Sequence, residues 1–439
     1  MTHARNLSNR STDFVSVKDY GAVGDGTTDD TAAFNAAQAA ASYIWIPPGS
    51  YKVDNLAIAS RKRFVGAGPL ITKIYQVATG RPSFYVTVPN GSVNWVDIEL
   101  SGFTGYGITS ATVPFLVLTA SGAGGALWRS KFDYECIGGY GALTATSSGG
   151  NNIFNCSFKI RGDTFTGTAV SITNGIYNTF ELFLTECSGP ALVHSGVNDV
   201  IDIVCDNQIQ DSGLNTHFSR IVIENIVGAA LAAGSSAIQL TGTGQTLMNP
   251  GVQLPSGSAS KVSFAIKPSS LTTIVNPFIT SSGTILANPF NVNAGFSWTL
   301  IGGSSNCTNK METIYDDSDN THSLRYVTMI GDVSQLTAQG NTHGGKVIQY
   351  SAPSAPFSLN VNGNTDAVTL APTGVLATAQ FNIINGLVDG RVITISTTQT
   401  LTAVSWVSTG TTTNLPSTLV ANTTTSFVYR AANTTFYRV

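Results

Sequence analysis

The sequence predicts an all-β protein wound from repeated coils, a parallel β-helix, on three observations. Only 11% of the 439 residues are charged, against about 25% in an ordinary soluble chain. Gly numbers 44 and Ser, Thr and Asn abound, so hydroxyl and amide groups do the solvating that Glu, Lys and Arg do on helical proteins. Short runs with apolar residues at every second position recur, the mark of strands with one buried face. Several of these runs stack on one another at spacings of 20 to 26 residues, the length of one solenoid coil with variable loops.

Residues 1–14 are polar and read as a tail or linker. Val15–Tyr20 alternates as a short strand, and Gly21–Gly26 is a turn-rich segment. Thr28 is the expected N-cap of a helix over Asp29–Ser42, with Asp29 and Asp30 in the first turn, where carboxylates suit the helix dipole. Tyr43–Ile46 follows as a strand, Pro47–Ser50 as a turn, and Tyr51–Val53 starts the next strand.

The run Val17-Lys18-Asp19-Tyr20-Gly21-Ala22-Val23-Gly24-Asp25-Gly26-Thr27-Thr28-Asp29-Asp30-Thr31, followed by Ile46-Pro47-Pro48-Gly49-Ser50-Tyr51, resembles the opening of pectate-lyase-like β-helix proteins. That opening is frequent in phage tailspikes and capsule depolymerases. The resemblance covers residues 15–53 and implies a right-handed parallel β-helix whose first helix caps the coil stack. Such a cap shields a strand edge and an apolar core. Asp25, Asp29 and Asp30 do not have the spacing of a calcium loop, so no metal is expected, nor any other cofactor.

Beyond residue 55 the coils can be aligned directly. Phe132-Asp133-Tyr134-Glu135-Cys136 is placed over Phe154-Asn155-Cys156-Ser157-Phe158, then Phe180-Glu181-Leu182-Phe183-Leu184, Ile201-Asp202-Ile203-Val204-Cys205 and Ile221-Val222-Ile223-Glu224. The offsets are 22, 26, 21 and 20 residues. First, third and fifth positions point inward, which makes Cys136, Cys156 and Cys205 core filler. The fifth cysteine leaves an odd count without a CxxC pair, so neither a disulfide framework nor a zinc site is expected. Glu312–Asn320 reads as a solvated acidic loop. A boundary is expected near Gly340–Ala355. The tail, with Arg391–Ser396 alternating, resembles the small C-terminal β-sandwich of phage tail proteins, which implies trimerisation or sugar binding. The expected organisation is 1–54 cap and first coil, 55–345 helix body, and 346–439 C-terminal β-sandwich.

Net charge is -3 and no basic run exists, so nucleic acid is an unexpected partner. No stretch of about 18 apolar residues exists, and the first residues lack a secretory signal core. By resemblance, the expected partners are a bacterial capsular polysaccharide or O-antigen, two further copies in a homotrimer, and phage tail or baseplate proteins. The expected location is the virion tail, acting at the bacterial surface. Little precedes residue 15, so a particle-binding part is expected to be small or to lie outside this sequence.

A parallel β-helix stacks equivalent side chains about 4.8 Å apart per coil, which brings carboxylates on neighbouring coils within reach of one sugar linkage. Glycosidases use two carboxyl groups, about 5 Å apart for retention and about 6.5–9.5 Å for inversion. Ten of the 25 acidic residues lie between Asp133 and Glu224. Glu181 and Asp202, on one outward ladder, are the first-choice acid/base pair, and Asp133 with Glu135 is the second. Asp206, Asp199 and Glu186 flank the ladder in turns, and Lys159 is expected to face out near Asp206. Phe183, Tyr177, Trp128 and Tyr140 are candidate sugar platforms, with Arg161 and His194 as polar contacts. Solvation of the outer face is the competing role for each carboxylate, and pairing or surface exposure for each cation. Glycoside hydrolysis is thus the expected reaction. β-Elimination, with Arg161, His194, His217, Arg220 or Lys159 holding a uronate, is the rival lyase reading. A non-catalytic receptor-binding fibre and a cellular pectate-lyase-like enzyme are the others.

Overall fold

The computed structural model describes residues 14–438 except 90, 92–93, 121–124, 149–152, 225–234, 255–261, 282–287, 291–297, 302–303, 306–322, 326–345, 352–356, 362–364, 373–377, 384–391, 409–410, 414 and 431–434. The chain divides into two compact units, Met1–Leu231 and Ala232–Val439. The acidic segment Glu312–Asn320 and Cys307 lie outside the described residues.

The first unit opens on a cap that differs in detail from the expected one. Phe14–Ser16 is a strand, and Val17–Tyr20 is a 3-10 turn rather than strand, held by a capping box in which Ser16 and Asp19 bond each other's backbone. The helix α1 is Thr31–Ala40, with Asp30 at its N-cap, while Thr28 belongs to the strand Asp25–Asp29. The buried Asp30 carboxylate instead accepts from the amides of Val23 and Gly24, at 2.7 and 3.3 Å, and so anchors the glycine-rich turn to α1. The exposed Asp25 carboxyl is held well below the usual range by the backbone amides of Thr28 and Thr27. α1 turns Phe34 inward against Tyr51 and Phe64, at ring separations of 5.7 and 6.0 Å.

Behind the cap runs one long sheet containing β1 (Arg63–Gly66), β2 (Thr72–Gln76), β3 (Glu99–Tyr106), β4 (Lys131–Ile137), β5 (Ser157–Asp163), β6 (Thr179–Thr185), β7 (Val200–Cys205) and β8 (His217–Ile223). From β3 to β8 each strand pairs in parallel with the strand one coil on. A second parallel sheet, from Phe84–Val88 through Leu116–Ala120, Leu143–Ser147, Val170–Ile176 and Leu192–Val197 to Ile209–Asp211, forms the other wall. This is the parallel β-helix, and parallel crossovers of this kind wind right-handed.

Each coil turns into the long sheet through one residue with left-handed backbone. Arg61, Asp97, Arg129, Asn155, Tyr177, Asn198 and Asn215 have φ between 48° and 62°. The amides of the first six donate to Val96, Trp128, Phe154, Ile176, Val197 and Leu214 of the following coil. This column of corners sets the register from coil to coil. Asn, whose short polar side chain tolerates αL, suits the site.

The core follows the period of two. Phe132, Phe158 and Phe180 stack at 5.1 and 4.9 Å with rings within 13° of parallel. Beside them run Tyr134, Ile160, Leu182 and Ile203, all buried. Tyr134 satisfies its hydroxyl on the Ala142 carbonyl at 3.0 Å. Cys136, Cys156, Cys187 and Cys205 are free and buried, and burial pushes the Cys156 and Cys205 thiols up to about 12.

Two registers depart from the expected alignment. Phe132 sits over Phe158, not Phe154, because Phe154 belongs to the preceding short strand Ile153–Phe154. In β8 a bulge at Ser219 places Arg220 opposite Asp202 and Ile221 opposite Ile203. Both slips are even, so the residues of the long sheet keep their inner or outer assignment while the neighbours across strands change; Phe154, expected inside, instead stacks on Trp128 outside the core, with the buried Ile153 pointing inward.

In the second unit, Thr246–Met248, Thr272–Val275 and Trp298–Ile301 continue as parallel coils. Residues 346–438 form a six-stranded and a three-stranded sheet. Val368, Phe381, Ile395, Leu401 and Phe427 fill one core between them, and Trp406 packs on it. Successive strands alternate between the two sheets and run parallel within each, from Lys346–Ser351 and Phe357–Val361 to Val392–Thr397 and Val404–Ser408. The last strands, Thr423–Arg430 and Thr435–Arg438, pair antiparallel.

Candidate functional site

Three outward ladders cross β4, β5 and β6. The first reads Asp133, Lys159, Glu181, Asp202, Arg220. Glu181 and Asp202 stand side by side, and each faces a cation on its other flank: Lys159 Nζ lies 2.6 Å from Glu181, and Arg220 Nε 2.7 Å from Asp202. Lys159 thus meets Glu181 rather than Asp206. Asp133 takes Lys131 at 3.5 Å.

The second ladder reads Lys73, Thr104, Glu135, Arg161, Phe183, and the third Tyr75, Tyr106, Ile137, Asp163, Thr185. Between them, at the C-terminal ends of β4–β6, opens a groove of about 290 Å³ lined by Leu70, Glu135, Ile137, Arg161, Gly162, Asp163, Phe183 and Thr185. Glu135 and Asp163 are diagonal neighbours. One strand spacing of about 4.8 Å and two residues of about 3.3 Å put their Cα atoms about 8 Å apart. Arg161 stands directly opposite Glu135, and among the described residues it makes no ion pair. Phe183 is 49% exposed although it sits on a sheet. Tyr75 and Tyr106 stack at 4.8 Å next to the groove. Burial, the neighbouring Tyr75 and the charges of Glu135 and Asp163 together raise the Tyr106 phenol above its ordinary value.

The wall holding Leu70 comes from a split strand. β3 pairs with β1 through Glu99–Ser101 and with β2 through Thr104–Tyr106, and the intervening loop 67–71 folds over the bulge at Gly102-Phe103. The Gly68 amide donates to Gly102 at 2.8 Å. A Cβ on Gly102 would come within 2.7 Å of the Gly66 carbonyl, so this close approach requires glycine.

Among the residues expected at the site, the groove therefore gathers Glu135, Arg161 and Phe183. Asp163 was missed because the aligned window ended before the seventh strand position, Tyr75 and Tyr106 because the alignment began at Phe132, and Leu70 because it sits on an inserted loop. His194 is a correction: it is 1% exposed, clamped by Asp211 on Nδ1 at 2.7 Å and by Asp199 on Nε2 at 2.8 Å, and it cannot meet a ligand there. Asp199, expected in a flanking turn, is likewise buried. Asp206 accepts from the amides of Glu186 and Cys187 and so holds a turn. Trp128 stacks on Phe154 at 4.6 Å, with Tyr177 edge-on to Phe154, at the left-handed corner. Tyr140 lies in the turn after β4, its ring against Gly167. None of these three aromatics lines the groove.

Comparison with known proteins places one match within the first unit. Residues 14–108 match the family described as Rhamnogalacturonase A/epimerase, pectate lyase-like. The pre-neck appendage protein of Bacillus phage B103 is 29% identical over 240 residues, 52% of this chain and 25% of that protein. The tail spike protein of an Escherichia phage is 38% identical over 86 residues, 19% of this chain and 10% of that one. The matches thus span a quarter of the first relative and a tenth of the second. Among solved structures, the A-module of the Azotobacter vinelandii mannuronan C-5 epimerase AlgE4 aligns with a TM-score of 0.45 at 14% identity, covering 76% of this chain and all of that one. Over residues 14–108 the chain is similar to the pectate-lyase-like family, and it is similar to phage appendage and tail spike proteins.

Proposed function

We propose that the chain is part of a phage tail and that it binds and depolymerises a bacterial surface polysaccharide, a capsule or an O-antigen, in the groove over β4–β6. The names of the two phage relatives support the setting. The observation that carries the chemistry is the convergence of two carboxylates, Glu135 and Asp163, a cation that makes no ion pair among the described residues, Arg161, and an exposed aromatic, Phe183, in one groove. With Cα atoms about 8 Å apart, Glu135 and Asp163 are near enough to serve a paired-carboxyl glycoside hydrolase, in which one carboxyl protonates the leaving oxygen and the other activates a water or attacks the sugar. Phe183 offers a face to the C–H side of a sugar ring, and Arg161 a fork to its oxygens. This assignment displaces Glu181 and Asp202, whose carboxylates are occupied by Lys159 and Arg220. Three copies packed side by side and attached to tail or baseplate proteins complete the proposal.

Arg161 also favours a second reading. A guanidinium beside a carboxylate base is the arrangement that abstracts the proton next to a uronate carboxyl, which would make the protein a lyase.

The test is a reducing-end assay on a panel of purified capsular and O-antigen polysaccharides. Glu135→Gln and Asp163→Asn should each lower cleavage by about 100-fold or more, with Glu181→Gln and Asp202→Asn close to wild type. Full activity in both groove variants rejects the site. Product mass separates the reactions: hydrolysis adds water, and elimination leaves an unsaturated sugar that absorbs in the ultraviolet. Tight binding without cleavage of any polysaccharide would mean a receptor-binding fibre.

A further inference from the structure

Thr104 stands on an outward ladder, between Lys73 and Glu135, and yet it is completely buried. The loop 67–71 covers it. Leu70, at the tip of that loop, has a left-handed backbone with φ 62°, a conformation that a branched side chain adopts only under constraint. The constraint is visible: the Leu70 amide donates to Thr104 Oγ1 at 2.7 Å, and the Leu70 side chain remains 57% exposed at the groove. A hydroxyl that accepts from an amide still has one proton to give. Thr104 gives it to Glu135 Oε2 at 3.2 Å.

We propose that the buried Thr104 hydroxyl is a positioning group that ties the Leu70 wall of the groove to the Glu135 carboxylate, so that wall and carboxylate take their places together. The inference rests on the reading of the groove as the polysaccharide site. The chain of bonds runs from the Leu70 amide through one oxygen to the carboxylate, and no other residue bridges the two in this way among the described residues. Thr104 does not itself line the groove, and its contribution passes through Glu135.

The geometry also explains the split strand. Had β1 and β2 been continuous, Thr104 would face solvent and Glu135 would choose its rotamer freely. The bulge at Gly102-Phe103 and the inserted loop exchange two ladder positions for a roof over Thr104. A dry, single-acceptor setting makes the direction of the hydroxyl proton unambiguous.

Two substitutions separate positioning from packing. Thr104→Val keeps the volume and removes both bonds, and Thr104→Ser keeps the hydroxyl. Crystal structures of the two variants should show the Glu135 carboxylate displaced in Thr104→Val and in place in Thr104→Ser. Hydrogen exchange of the 67–72 segment, read by mass spectrometry, should speed up in Thr104→Val alone. On a polysaccharide that the wild type cleaves, kcat should fall about tenfold in Thr104→Val with KM changed less than about twofold, and Thr104→Ser should restore it. Should Thr104→Val fail to fold, Thr104→Ala, whose vacated space admits a water for the Leu70 amide, takes its place in the same measurements. A Glu135 carboxylate unmoved in Thr104→Val, or its replacement, with exchange of the loop unchanged, overturns the inference. Loss of the carboxylate position in a protein that cleaves nothing on the panel would leave the Thr104 link standing and defeat the depolymerase reading instead.

Discussion

The most demanding prediction concerns His194. Its two ring nitrogens face Asp199 and Asp211, and all three side chains are fully buried. Asp199 is fixed in turn by the Asn178 amide at 2.6 Å, and Asp211 by the Gly213 amide at 2.9 Å. Burial by itself would lower the imidazole, but the hydrogen bonds to Asp199 and Asp211 and their charges outweigh it, and the group rises from 6.5 to about 9. The folded protein therefore holds an imidazolium. A group raised in the folded state stabilises fully below its unfolded value and loses that contribution as pH climbs through the folded one. At about 1.4 kcal/mol per pH unit, the window from 6.5 to about 9 corresponds to about 3 kcal/mol. Equilibrium unfolding in guanidinium, followed by intrinsic fluorescence from pH 6 to pH 10, should show wild-type stability falling by about this amount, mostly between pH 6.5 and 9. His194→Gln leaves two buried carboxylates without their cation, so it should lose about 3–5 kcal/mol at pH 6 and show a flatter pH profile. A wild-type profile that is flat across the window, or parallel to that of His194→Gln, refutes the assignment of a buried imidazolium.

Three further outcomes follow from the packing. Phe158→Ala removes the middle ring of the Phe132–Phe158–Phe180 stack and should cost about 3–5 kcal/mol in the same unfolding assay. The thiols of Cys136, Cys156, Cys187 and Cys205, buried and pushed up by burial, should resist a thiol reagent in the native protein and react once it is unfolded. Leu271 holds φ 57° while 62% exposed, so Leu271→Asn should raise stability by about 1 kcal/mol, read as an increase in Tm.

The coil architecture was legible because a strand writes its two faces at a period of two, and that signal survives an error of register. Placing Phe154 where Phe158 belongs shifted the second row by four residues and still kept Cys156 and Phe158 inside, although Phe154 itself lies outside the core against Trp128. The exchange of neighbours was costly: Lys159 and Arg220, not Asn155 and Val222, flank the acidic pair. Nothing local in the sequence announces the bulge at Ser219 or the one at Gly102-Phe103. His194 was legible in principle. It shares parity with the buried Leu192 in Leu192–Val197, and only its polarity argued for the surface. Its partners are Asp199, just after its own strand, and Asp211, its register partner on the strand one coil on, a pairing that the alignment of the other sheet did not reach. The groove was half visible, through Glu135, Arg161 and Phe183. Asp163 and Leu70 were hidden because they sit beyond the aligned window or on an inserted loop.

The alternation of side chains along β4–β6 separates two kinds of selection. On each strand, the residues that hold the molecule together interleave with those that meet the outside, and the two sets share a backbone but scarcely touch. If the groove is the polysaccharide site proposed above, substitutions at Arg161, Asp163 or Phe183 are free to retune what it accepts while the phenylalanine column beneath keeps its shape. A scaffold so partitioned can follow a changing target surface one coil at a time.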